Sequence, residues 1–252
     1  MSTTLADLAT CEHLLVISDF DGTVAGLTTD IYGVPVNQVS VAALAQLSQL
    51  PRTNVAVLSG RHLEGLREVC VLREPVILAG SHGAESTDHG VELTDEMRSL
   101  LAYLEQELNP IVALHPAALL EYKPFQRVVH IARVAAEDPA AAQALLEKAA
   151  AIDPAGARLN LGKNIVEFSV AEVTKGTWIS AERQRLQPSR TIFIGDDTTD
   201  EDGFRALEAG DLGVKVGPGD TAAQLRVADT DAVAELFALL AQKRAEYLAA
   251  ES

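Results

Sequence analysis

Four short apolar runs set the main constraint on what this chain can fold into. They are LLVIS (Leu14–Ser18), NVAVL (54–58), PVILAG (75–80) and TIFIG (191–195), each rich in Val, Ile and Leu with no polar alternation. Runs of that length and composition read as strands buried on both faces. Each stops at small or polar residues: Asp19-Phe20-Asp21, Ser59-Gly60, Ser81-His82-Gly83 and Asp196-Asp197. Helical patterns lie between them. Val41, Leu44 and Leu47 make one apolar face, with Ser40 as the expected cap and Pro51 as the stop. Trp178 and Ile179 mark a helix after Lys175, with Trp178 expected in the core. Further helices are expected over Glu201–Ala209 and from Asp231 onward, with LGVKV (212–216) as a last strand. Strand and helix in this alternation imply a parallel sheet with helical crossovers.

The rhythm changes after Glu85. A helix capped by Thr94 carries Met97, Leu100, Leu101, Leu104 and Leu108 on one side. A β-branched stretch through Val128, Val129 and Ile131 follows, then a helix opening at Asp138-Pro139, then a strand or hairpin in ARLNLGKNIVEFSV. The expected organisation is therefore an α/β, Rossmann-like core made of residues 1–85 and 174–252, with a smaller α+β domain inserted at 86–173.

A net charge of −16, from 36 acidic and 20 basic residues, argues against a nucleic-acid partner, which needs basic patches. Cys11 and Cys70 stand in unrelated contexts, which suits neither a disulfide framework nor a metal cluster. The N-terminal residues lack the basic-then-apolar pattern of a leader, and no apolar run approaches the roughly 20 residues that span a bilayer. The expected setting is the cytoplasm, away from membranes, with a monomer favoured.

The polar ends of the apolar runs hold the candidate chemistry. In an open α/β sheet, ligands bind beyond the carboxyl ends of the strands. Asp19, Asp21, Asp196, Asp197 and Asp200 would repel one another there unless a cation sits among them, and an oxygen-only set suits Mg²⁺. Asp19 and Asp21 can divide the work. One carboxylate attacks phosphorus to form an acyl phosphate, and the other protonates the leaving oxygen and then activates water. Gly22 allows close backbone approach and Thr23 offers a hydroxyl; Ser59 can hold a phosphate oxygen or cap a helix; Lys175 can neutralise charge between phosphoryl group and aspartate.

DFDGT, a Ser at a second strand end, a lone Lys before a helix and GDDTTDE resemble the phosphohydrolase motifs of the haloacid dehalogenase superfamily. LSGR, GSHGAE, GKNIVEF and GDDTTDEDGF narrow the resemblance to trehalose-6-phosphate phosphatases. That resemblance implies Asp19 as nucleophile and Asp21 as acid/base, with Mg²⁺ held by Asp19, Asp196 and the Asp21 backbone carbonyl and with Asp197 and Asp200 as further ligands or support. It also implies hydrolysis of trehalose 6-phosphate, a small-molecule sugar phosphate. The inserted domain becomes a cap in which Lys123, His130 and Glu167 bind sugar. Gly22, Thr23, Gly60, Arg61 and His82 fall on the substrate side, although Arg61 could instead pair with Glu85 and His82 could serve only its loop. Two departures lie in the cap. The family's His-x-Arg is here His130-Ile131-Ala132-Arg133, so Arg133 needs a bulge to join the same strand face, and Val170 stands where Pro is common. Another sugar phosphate, or a non-catalytic sugar-phosphate sensor, is the alternative.

Overall fold

A computed structural model describes residues 3–28, 33–162 and 164–251, so Lys163 of the GKNIVEF motif lies outside the described residues. The chain divides into two compact units, Met1–Gly90 with Val173–Ser252, and Val91–Glu172. The first opens with α1 (Leu5–Ala9), β1 (Leu14–Ser18), α2 (Gln38–Ser48), β2 (Thr53–Leu58), α3 (Leu63–Val69), β3 (Ile77–Gly80) and a two-residue β4 (Glu85–Ser86). The second holds α4 (Asp95–Val112), β5 (Leu119–Tyr122), β6 (Gln126–His130), α5 (Ala132–Glu137), α6 (Pro139–Ala150), β7 (Arg158–Gly162) and β8 (Ile165–Ser169). The chain returns to the first unit with α7 (Lys175–Leu186), β9 (Arg190–Gly195), α8 (Asp200–Arg205), β10 (Leu212–Val216), β11 (Leu225–Val227) and α9 (Thr230–Glu251).

The large sheet runs β11-β10-β9-β1-β2-β3-β4, parallel except for β4. Every residue of β1 is buried. Leu14 and Val16 point into one core with Leu44 and Leu47 of α2 and Phe237 and Leu240 of α9. Leu15 and Ile17 point into the other, with Trp178 and Ile179 of α7 and Phe204 of α8. Each such side chain contributes about 1.5–3 kcal/mol by leaving water, which is why continuous apolar runs, not alternating ones, build this sheet. From β1 the chain advances through β2 and β3 to one side, and from β9 through β10 and β11 to the other. Helices α2 and α8, which follow β1 and β9, pack on opposite faces. Between β1 and β9 the connections therefore diverge and leave a crevice at the strand ends.

Two local expectations are corrected. Asn37, not Ser40, caps α2, its Oδ1 accepting from the Val39 and Ser40 N–H groups at 3.0 and 3.3 Å, while Ser40 faces the interior one turn on. Helix α8 ends at Arg205, short of Ala209, because the Asp211 carboxylate accepts from Glu208 N–H and Thr191 N–H and ties that segment to β9. The short edge strand β11 had no signal in the sequence.

The second unit is a four-stranded antiparallel sheet, β5-β6-β8-β7. Its register sets Glu121, Val128, Glu167 and Asn160 in one row. The pleat puts Gln126 and His130 on that same face. Leu120, Val129, Val166 and Phe168 are buried on the other, under α4 and α6.

Candidate active site

The site is assembled where three adjacent strands end. Asp19 follows β1, Ser59 follows β2 and Asp196 follows β9, and the Asp19 N–H still donates to the Ile194 carbonyl at 2.8 Å. Lys175 is the first residue of α7, where a helix dipole disfavours a cation. Two carboxylates offset that: its Nζ donates to Asp19 Oδ1 and to Asp200 Oδ1, each at 2.6 Å. Only 2% of Lys175, 4% of Asp19 and none of Asp200 is exposed. Asp200 Oδ2 accepts from the backbone N–H groups of Asp196 and Asp197, both at 2.9 Å, so this carboxylate folds the loop beneath the site.

Carboxylate oxygens of Asp19, Asp196 and Asp200 lie within 4.8 Å of one another. Burial raises Asp19 well above the ordinary carboxylate range, opposed by Lys175 and reinforced by Asp200 and Asp196. Burial and then the negative charge of Asp200 and Asp197 push Asp196 up to about 7. Burial alone would lower the Lys175 ammonium, but Asp19 and Asp200 together hold it above its usual range. An all-oxygen group with more negative charge than Lys175 balances fits a hard divalent cation such as Mg²⁺. Two glycines permit the close approach. A Cβ at Gly22, whose φ is +81°, would lie 2.1 Å from Asp196 Oδ2, and one at Gly195 would lie 2.3 Å from Asp200 Cγ.

The remaining expected residues separate. Asp21 is not in the three-carboxylate group: the Arg61 fork takes it, Nε to Oδ2 at 2.6 Å and Nη2 to Oδ1 at 2.7 Å. The two aspartates of DFDGT are thus each matched to a cation of the chain itself, Lys175 and Arg61. Glu85, considered as the partner of Arg61, accepts instead from Ser81 Oγ and Leu63 N–H. Asp197 is exposed and its carboxylate accepts from Thr198 N–H, which leaves it outside the group. Ser59 is buried and its Oγ accepts from Arg61 N–H at 3.1 Å; it caps no helix, since α3 starts at Leu63. Thr23 Oγ1 is buried with no hydrogen-bond partner among the described residues. His82 is buried, with its ring over Gly60.

In the second unit, Lys123, His130 and Glu167 come from the polar side of the sheet. His130 Nε2 is 2.8 Å from Glu121 Oε2, Lys123 Nζ is 3.9 Å from the same atom, and Glu167 Oε1 accepts from Asn160 Nδ2 at 3.0 Å. Arg133 is not on that sheet. The chain leaves β6 at His130 and turns helical, so no bulge carries Arg133 back; it lies exposed on α5.

The family model described as trehalose-phosphatase matches residues 17–231. The chain belongs to the trehalose-phosphatase family. Members of this family are phosphoric monoester hydrolases. The trehalose-6-phosphate phosphatase of Escherichia coli K12 is 33% identical over 220 residues, covering 83% of this chain and 80% of that protein. The bifunctional trehalose-6-phosphate synthase/phosphatase of Thermoproteus tenax is 32% identical over 89% of this chain and 31% of its own length, and the trehalose-phosphate phosphatase of Mycobacterium marinum is 32% identical over 89% and 57%. The chain therefore spans less than two thirds of these latter two relatives. Among solved structures, the C-terminal domain of a C. albicans trehalose-6-phosphate phosphatase superposes with TM-score 0.80 at 21% identity, covering 94% of this chain and 95% of that one. A haloacid dehalogenase-like hydrolase from Bacteroides thetaiotaomicron shares the fold at TM-score 0.60 and 14% identity, covering 90% of this chain and 98% of that one.

For this trehalose-phosphatase family member, sequence reasoning missed two polar residues, one beside the three carboxylates and one in the second unit. Lys215 is buried on β10 and its Nζ donates to the Asp196 carbonyl. A lysine in the middle of LGVKV was the signal, because a buried ammonium needs a partner. Glu121, which joins His130 and Lys123, shows only through strand register.

Proposed function

We propose that this chain hydrolyses trehalose 6-phosphate to trehalose and phosphate through a phosphoaspartyl intermediate on Asp19. The observation that supports this most is the buried Asp19 carboxylate at the end of β1, with one oxygen held by Lys175 and the Asp196 and Asp200 carboxylates beside it. Lys175 takes Oδ1, which leaves the other Asp19 oxygen to attack phosphorus. The bond from Asp19 to phosphorus forms as the ester bond breaks, and Asp21 gives the leaving sugar oxygen its proton. Asp21 then takes a proton from the water that attacks the aspartyl phosphate, freeing phosphate and restoring Asp19. Ser59, Lys175 and the Gly22-Thr23 turn hold the phosphoryl oxygens.

Asp19, Asp196 and the Asp21 carbonyl would hold Mg²⁺, with Asp200 at its side. Bound there, the ion offsets the charge of the carboxylates and the phosphate. The second unit serves as the cap that confers specificity, with Lys123, His130 and Glu167 binding the sugar. The setting of the reaction is the cytoplasm. The position of Arg133 on α5 favours, as a second reading, a different sugar phosphate handled by the same chemistry.

Phosphate release from trehalose, glucose and sucrose 6-phosphates with Mg²⁺ tests both readings. Preference for the first is expected, with a loss of about 10³-fold or more in Asp19→Asn. Substantial turnover by Asp19→Asn sinks the nucleophile assignment, and preference for another ester selects the second reading.

A further inference from the structure

We infer that Arg61 is a positioning residue for Asp21, acting on the reaction through that carboxylate and not by holding the sugar. This rests on the phosphatase reading above. The fork from Nε and Nη2 to the two Asp21 oxygens fixes both the rotamer and the plane of the carboxylate, which a single contact would leave free to rotate. Each Asp21 oxygen keeps a second lone pair, so the carboxylate still can exchange a proton with the leaving oxygen or with water.

Arg61 is itself held at its backbone from two sides. Its N–H donates to Ser59 Oγ at 3.1 Å, and its carbonyl accepts from Ser81 N–H at 2.6 Å. The Ser59 carbonyl accepts from His82 N–H at 2.9 Å. Ser81 and His82 both adopt left-handed backbone, φ +50° and +58°, a conformation that costs on the order of 1–3 kcal/mol per residue outside glycine. Several contacts enforce it. Ser81 Oγ donates to Glu85 Oε2 at 2.5 Å, and the same oxygen accepts from Leu63 N–H at 3.3 Å. The His82 ring fills the space over Gly60, where a Cβ would come 2.8 Å from Cε1. At Gly80 a Cβ would strike the Arg61 carbonyl at 2.7 Å and Leu63 N at 2.5 Å. The GSHGAE turn is therefore a brace behind the LSGR loop, and Arg61 transmits that brace to Asp21. This accounts for both motifs with no sugar contact required of Arg61 or His82.

The test is a double-mutant cycle of Arg61→Ala and Asp21→Asn, read as phosphate release with Mg²⁺ from trehalose 6-phosphate and from phenyl phosphate, which has no sugar. Arg61→Ala should lower kcat about 10–100-fold on both esters with KM nearly unchanged, as for a misplaced acid/base group. Added guanidinium should restore part of the loss. In the Asp21→Asn background, Arg61→Ala should cost less than about 3-fold, because coupled residues are not additive. The same fold loss in both backgrounds, or a rise in KM confined to the sugar ester, overturns the proposal. Should Arg61→Ala fail to fold, Arg61→Lys replaces it; a lysine keeps the charge without the fork, so full kcat in that variant also overturns it. A wild-type protein that hydrolyses neither ester sinks the phosphatase reading and this proposal with it, whereas an active wild type with additive losses sinks this proposal alone.

Discussion

The divalent cation proposed at the acidic group should stabilise the protein in a way that depends on pH, and Asp196 sets the size of the effect. An ordinary aspartate titrates at 3.8, and burial beside Asp200 moves Asp196 to about 7. At about 1.4 kcal/mol per pH unit that gap is worth about 4 kcal/mol. Asp196 is only partly buried, which reduces the figure to about 2–4 kcal/mol. The sign follows from the direction. The folded value lies above the unfolded one, so the fold tolerates the neutral acid and loses stability as pH rises from about 4 to about 7. A divalent cation among Asp19, Asp196 and Asp200 reverses the preference and stabilises the ionised form. In a chain of this size each kcal/mol moves Tm by about 2–4 °C. Thermal unfolding in millimolar MgCl₂ and in EDTA, at pH 5.0 and 8.0, should show a Mg²⁺ gain of roughly 5–10 °C at pH 8.0 and less than about 3 °C at pH 5.0. Asp196→Asn should raise the EDTA value at pH 8.0 and abolish most of the gain. An equal gain at both pH values, or none at pH 8.0, would refute this reasoning.

Two further substitutions test neighbouring parts of the site. Lys175→Met leaves the buried Asp19 and Asp200 carboxylates facing each other without a cation, and should cost about 3–5 kcal/mol in urea unfolding at pH 8, less at pH 5.5 where a carboxyl can take up a proton; a cost below about 1 kcal/mol at both values would show that the pair is not balanced by Lys175. Gly22→Ala places a Cβ 2.1 Å from Asp196 Oδ2 at a φ of +81°, and should lower kcat about 10²-fold while raising the Mg²⁺ concentration needed for half-activity. An unchanged Mg²⁺ requirement would break the link between that glycine and the acidic group.

Much of this protein is legible in its residues taken in order. Short apolar runs rich in β-branched residues, without alternation and separated by helical patterns, read as strands covered on both faces, so LLVIS and TIFIG announce a parallel sheet whose ends carry the acidic loops. The change of pattern after Glu85 announces a separate piece. Asp19, Asp21, Asp196, Asp197 and Asp200 stand out as carboxylates gathered after buried strands, and Lys175 as a lone cation at the start of a helix, because charges placed there need compensation. Other features depend on residues far apart in sequence. Nothing in DFDGT says that its second aspartate meets Arg61, which is 40 positions away and reaches it only because β1 and β2 are neighbours. Asp197 and Asp200 have the same chemistry and similar neighbours, yet backbone geometry buries one and exposes the other. Arg133 shows the limit most plainly. Local spacing allowed a bulged strand, but Ile131 and Val134 are buried and the chain turns helical to bury them, which carries Arg133 into solvent. Composition and spacing determine which residues can do the chemistry, since side-chain type and periodicity are local properties. Which carboxylate meets which cation is a property of strand order and register, and only the tertiary structure decides it.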